Sequence, residues 1–392
     1  MRPDDWKRLE GIDLLRGLAI FFFLFNHVNM RLLHARVPYA KFLSAQLAHF
    51  LVWNGQLGVQ MFFAVSGFLI TSISLRRWSS LSNINVRGFY LFRFARIAPL
   101  LLLLIAILDG LHFAHVNNFV VTPKTGGLGR AIAAALTFHV NVLEAHRGYL
   151  PASWDVLWSL SVEEMFYLFF PVVCRVFGRG KLLIAILLAF VALGPFGRTA
   201  FAHGNEIWRE YSYLGGMEGI ALGCLTALIV ARGRISRPAL RIIAYAGAAI
   251  VAASLIFSRQ ASTAWLGRTG LDMTILGIGT CMFIAASALT QWKSPRPLRP
   301  LLRMGQYSYE IYLTHMFVVF GLFGLFLDVG KPLRLVPVLF LVTILIAAGL
   351  GAAVARFYSE PMNRYLRRHP ATQQQSAFVT DQSSVATETA PV

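Results

Sequence analysis

Arg16 and His27 share the first apolar stretch of the chain, GIDLLRGLAIFFFLFNHV. An ionisable side chain inside a segment able to span a bilayer is costly, so its presence points to function. Eleven helical positions turn through ~1100°, within about 20° of three full turns, and rise ~16 Å. Both side chains therefore leave one face of one helix. A guanidinium near one membrane surface and a titratable imidazole deep in the bilayer suit a proton-handling site reached from a charged mouth. The plainer alternatives are an interfacial anchor for Arg16 and a histidine bonded to a backbone carbonyl for His27.

The second signal is SWDVLWSLSVEEMFYLFFP, where Glu163 and Glu164 interrupt an apolar span ahead of Pro171. Two adjacent carboxylates there need hydrogen bonds, a cation or protonation. One reading is a structural ion pair; the sharper one has a carboxylate orienting His27 or pairing with Arg16. Ser161, Glu164 and Tyr167 share one helix face, and Glu163 meets Tyr167 one turn on. In FYLFRFARIAPL, Arg93 and Arg96 face one side of a helix mouth, and guanidinium forks suit phosphates and carboxylates. Positive-inside anchoring is the alternative. Pro99 is expected to open or kink that helix. In GVQMFFAVSGFLIT, Ser66 and Gly67 read first as small packing residues, because no base neighbours the serine in sequence. In MGQYSYEIYLTHMFVV, Ser308, Tyr312 and His315 fall near one stripe and Glu310 on another face. His115, His139 and His146 have no metal-ligand spacing and read as loop histidines, so no metal site is expected.

These residues need helices to carry them, and the composition supplies them. The 392 residues are 56% hydrophobic and 14% charged, far from the quarter charged of soluble domains. Mean hydropathy is +0.60. Long apolar segments fall at 13–32, 56–75, 97–115, 156–176, 182–200, 212–231, 241–258, 270–290, 306–327 and 335–357. The expected fold is all-α, a polytopic membrane bundle of about ten transmembrane helices. Although the net charge is +18, the basic residues cluster between apolar segments and no nucleic-acid motif appears, so no nucleic-acid partner is expected. Cys174, Cys224 and Cys281 lie in or beside apolar segments and imply no disulfide framework. The first apolar segment lacks a small-residue cleavage site and reads as a retained helix.

An eleventh apolar stretch, 128–143, is short for a span. Counting ten spans with the N-terminus inside puts 22 of the 36 lysines and arginines on inner segments. An extra span there would invert the clusters at 175–181, 232–241, 293–303 and 364–368. The stretch therefore reads as re-entrant or interfacial, with both termini cytoplasmic. Residues 1–369 read as one membrane domain and 370–392 as a disordered polar tail.

Taken in order, these pieces resemble the acyltransferase-3 family of bacterial integral-membrane O-acyltransferases. Its opening run matches Asp13, Leu15, Arg16, Gly17, Leu18 and then His27. Further stretches match Phe62, Phe63, Ser66, Gly67, Phe68, Leu69 and Ile70; Arg96, Ile97 and Pro99; Trp158 through Tyr167, with Met165 in place of the usual glutamine; and Ser308, Tyr309, Tyr312, Leu313 and His315. The matches run over residues 11–366. Phe92 stands where the family often has the first of paired arginines, leaving Arg93. Some members carry an added C-terminal hydrolase-like domain, for which the polar tail leaves no room.

The resemblance implies transfer of an acyl group, most often acetyl from acetyl-coenzyme A as co-substrate, to a sugar hydroxyl of a glycan or glycolipid at the bacterial inner membrane. Antibiotics and lipids are alternative acceptors. No bound cofactor is implied. In that chemistry His27 is the base, Arg93 and Arg96 (with Arg16) meet the coenzyme's phosphates, and Glu163 or Glu164 holds His27 or Arg16. Ser66, Ser161, Tyr167, Tyr309, Tyr312 and His315 are candidate lining residues. A proton-coupled transporter is the competing class, since intramembrane Arg, His and Glu suit it too. It lacks the expected interrupted half-helices in two matching halves. A membrane scaffold would not need both Glu163 and Glu164 in a span.

Overall fold

The computed structural model describes residues 9–367 except Arg234. The expected tail at 370–392 lies outside the described residues, which are helical with no strand among them. Among the described residues, ten helical segments are long and apolar enough to cross a membrane, as the hydropathy pattern required. Their helices are α1 Glu10–His34, α2 Gly55–Trp78, α3 Val86–Phe113, α4 Leu157–Phe177, α5 Lys181–Arg198, α6 Tyr213–Arg232, α7 Arg237–Ile256, α8 Leu271–Thr290, α9 Ser308–Asp328 and α10 Val336–Val354. A π-turn at Ala355–Ser359 joins α10 to a last helix, Glu360–Arg367. The chain is a multi-pass membrane protein.

Helices α1, α2, α4 and α6 are mostly buried within the bundle, whereas α5, α7 and α10 bury only a third or less of their residues. Ile242 and Tyr245 on α7 and Leu341 and Leu345 on α10 are exposed, a surface suited to lipid rather than water. Helix α2 packs along α6, and α1 packs against α2, α9 and the short helix Arg299–Gln306. Close approach explains the Ser-Gly pair in α2. A Cβ on Gly67 would lie 1.8 Å from the Ile220 carbonyl oxygen of α6, so only glycine lets these backbones touch.

The stretch 128–143 does not span. It enters two short helices, Leu128–Leu136 and Val140–Arg147, broken at Phe138 with φ 57°. Helices of nine and eight residues reach only ~12–14 Å, less than half of a hydrocarbon core. The break is covered by protein. The Tyr213 hydroxyl donates to the Phe138 carbonyl at 2.6 Å, and the Val140 N–H donates to Ser161 Oγ at 3.2 Å.

Helix α3 runs unbroken through Pro99, which corrects the expected opening. Nearby carbonyls find phenols instead: Tyr309 donates to Ile97 at 2.9 Å and Tyr358 to Pro99 at 3.1 Å.

Candidate active site

Helices α1 and α9 set the site. Both start at the same end of the bundle, where Gln306, just before α9, donates to Asp13 of α1 at 3.4 Å. Further along, His27 of α1 faces His315 of α9, with ring centroids 5.0 Å apart. Phe23 packs on both imidazoles, at 4.5 Å from His27 and 4.9 Å from His315, and stacks on Tyr312 at 4.6 Å. Aromatic walls fix the imidazole positions.

The chemistry of His315 is set by its own helix. Its Nδ1 lies 2.6 Å from the Tyr312 carbonyl oxygen, which only accepts, so Nδ1 carries the proton. Nε2 is left as a bare acceptor, and it is buried without a hydrogen-bond partner. The Tyr312 hydroxyl donates to the Val156 carbonyl at 2.8 Å and is bonded to Ser159 at 2.6 Å, which holds that stretch of α9 against α4.

About 16 Å from His27 along α1, Arg16 lines a cavity of about 310 Å³ with Asp13, Arg96, Gln306, Glu310 and Glu360. Arg96 of α3 lies 3.5 Å from Glu310, which is 1% exposed. Arg16 makes no ion pair within this group, although Asp13, Glu310 and Glu163 lie close enough to act on it. An unpaired guanidinium in a cavity wall is available to an anion.

A third group sits between α2, α3 and α4. Arg93 donates to Glu164 at 2.7 Å and its guanidinium lies 3.9 Å over the Tyr167 ring. The Tyr167 and Ser66 hydroxyls are hydrogen-bonded, and Glu163 lies within reach of Ser66.

The structure thus brings most sequence candidates together, but in partnerships the sequence did not give. Neither Glu163 nor Glu164 orients His27, whose ring neighbours are Phe23 and His315; neither pairs with Arg16. Glu164 is bound to Arg93 instead. Arg93 is therefore committed to a carboxylate and Arg96 loosely held by another. Ser161 accepts from Val140 and donates to Leu157, so its hydroxyl is occupied by backbone. Glu310, expected on a separate face of its helix from His315, meets Arg96 through that face. Its position in an apolar span was the available signal. Glu144 and Asp155 also come close together, a pairing that their sequence spacing does not signal. Burial and Asp155 hold the Glu144 carboxyl well above the usual carboxylate range.

A family model described as an acyltransferase domain matches residues 9–354, nearly the whole bundle. The chain belongs to the acyltransferase-3 family. Two similar relatives agree with that placement. The O-acetyltransferase OatA of Staphylococcus aureus (strain NCTC 8325 / PS 47) is 23% identical over 386 residues, covering 93% of this chain and 60% of the relative. The peptidoglycan O-acetyltransferase OatA of Listeria monocytogenes is 28% identical over 333 residues, covering 79% and 49%. The chain thus spans about half to three-fifths of the length of these relatives. No solved structure matches it. Within the family match lie Arg16, His27, Arg93, Arg96, Glu163, Glu164 and His315.

Proposed function

We propose that this chain is a membrane O-acyltransferase that moves an acetyl group from acetyl-coenzyme A to a hydroxyl of a cell-surface glycan of the peptidoglycan class. The observation that carries the reading is His315 Nε2, a buried and unpartnered acceptor facing His27, which stands on the same helix as Arg16 of the arginine-lined cavity. The family match and the two acetyltransferase relatives support the acyl chemistry. A proton-coupled transporter is not favoured by either.

In this mechanism His27 takes the proton from the acceptor hydroxyl as its oxygen attacks the thioester carbonyl carbon. The carbon–sulfur bond then breaks, and the imidazolium returns the proton to the departing thiolate. With substrate bound, a turn of the His27 ring brings one of its N–H groups to the bare His315 Nε2, which leaves the other His27 nitrogen as the base. A neutral histidine thereby does the orienting task often given to a carboxylate. Arg96 and Arg16 receive the coenzyme's phosphates at the cavity.

The donor is cytosolic, so this reading places the arginine-lined cavity and both termini on the cytoplasmic side of the bacterial inner membrane. The basic clusters between spans support that orientation. The test supplies purified protein in lipid nanodiscs with radiolabelled acetyl-coenzyme A and soluble glycan fragments. Formation of a base-labile acetyl ester on the glycan is expected. Absence of both ester formation and coenzyme binding would remove this function.

A further inference from the structure

Two cations converge on one aromatic ring at the same end of the bundle, with no carboxylate paired to either among the described residues. The Arg77 guanidinium, at the end of α2, lies 3.6 Å from the centroid of Phe92. The Arg367 guanidinium, at the end of the last helix, lies 5.0 Å from the same ring. Both side chains are exposed, Phe92 is half-buried, and among the described residues neither arginine belongs to an ion pair.

The two are also close enough to repel each other. Arg367 in turn repels Arg96, and Arg96 repels Arg16. Four guanidiniums therefore run in sequence from the rim to the wall of the cavity. The acids near this line, Glu310, Asp13 and Glu360, all lie at the cavity end. A row of like charges left uncompensated at its outer end is a receptor for a polyanion. A planar guanidinium stacked on a ring also accepts a nucleobase face, while its edge binds a phosphate in the forked manner. Phe92 precedes Arg96 by one turn of α3, so the ring sits outward of the cavity.

The geometry points to Arg77, Phe92 and Arg367 as the docking site for the adenosine 3′-phosphate end of an acyl-coenzyme A. This rests on the donor assigned above. The acyl-pantetheine arm then enters past Arg96 and Arg16 toward His27. An anionic lipid headgroup offers similar phosphate chemistry at this depth, and the test separates the two.

Wild-type protein, Arg77→Ala and Arg367→Ala are placed in zwitterionic phosphatidylcholine nanodiscs and titrated with coenzyme A, 3′-dephospho-coenzyme A and 4′-phosphopantetheine. The wild type should prefer coenzyme A over its 3′-dephospho form by about tenfold or more. Each variant should lose that preference while binding 4′-phosphopantetheine as the wild type does, which also shows that the variant is folded. Variants with the full 3′-phosphate preference, or an equal loss of all three ligands, overturn the proposal while the donor stands. A wild type that binds none of the three overturns the donor and this site together. Stabilisation by added phosphatidylglycerol that depends on Arg77 and Arg367, with no 3′-phosphate preference, makes it a lipid site and overturns the proposal as well.

Discussion

His27 and His315 come from helices at opposite ends of the chain, yet their ring centroids stand 5.0 Å apart on the faces that α1 and α9 turn to each other. Only one of the two has its tautomer fixed by a backbone carbonyl. The roles therefore differ. His27→Ala should lower acetyl transfer by about 10²–10⁴-fold at matched membrane levels, the usual span for a lone base. His315→Gln should lower kcat less, with KM nearly unchanged, because it acts through His27. Near-normal turnover of the His27 variant would make His315 the base.

Arg93 and Arg96 should fail in different ways. Arg93 is bound to a largely buried carboxylate, so Arg93→Ala leaves Glu164 uncompensated and costs about 3–5 kcal/mol of stability. Arg96→Lys keeps a cation beside the buried Glu310, 3.5 Å away, and loses the planar fork, so it should spare the fold. Its coenzyme affinity should fall by about 1.5–3 kcal/mol. Thermal unfolding in detergent and coenzyme titration of both variants check this. Equal thermal midpoints would show that the Arg93–Glu164 pair is not structural.

Among the described residues Arg16 has no direct ion-pair partner, and Arg16→Lys tests what it grips. Lysine keeps the charge and loses the planar fork. If Arg16 holds a phosphate, the lysine variant should bind coenzyme more weakly than the wild type while inserting normally. Unchanged binding would return Arg16 to an anchoring role.

The acid pair beyond the histidines predicts a pH effect on stability. Glu144 lies outside the spanning helices and its carboxyl is raised well above 4.5. The folded state then holds a proton that the unfolded state releases, so stability falls as pH rises from about 4.5 toward the folded value. Glu144→Gln keeps the oxygen that accepts from the Leu150 N–H and removes the titration. The variant should unfold at a higher temperature than the wild type at pH 8 and show a flatter pH profile. A steeper profile would contradict the assignment.

Topology is open to a direct check. Reporter fusions at Arg179 and Arg234 should score cytoplasmic and one at Arg209 external. An external score at 179 would mean that 128–143 crosses the bilayer after all.

The ten apolar segments, the shared face of Arg16 and His27, and the shortness of 128–143 were all legible in the sequence. Hydropathy and the 3.6-residue period act within one segment, and a segment carries its own record of both. Which carboxylate meets which arginine was not legible. Glu164 pairs with Arg93 across 71 positions, and Arg96 reaches Glu310 from a helix elsewhere in the chain. Periodicity says which face a side chain leaves by, not which helix stands opposite. That choice was made by packing, where glycines such as Gly67 let backbones touch and so fix which faces meet. The same packing turned Glu310, on the neglected face of α9, toward Arg96, and set His315 beside His27.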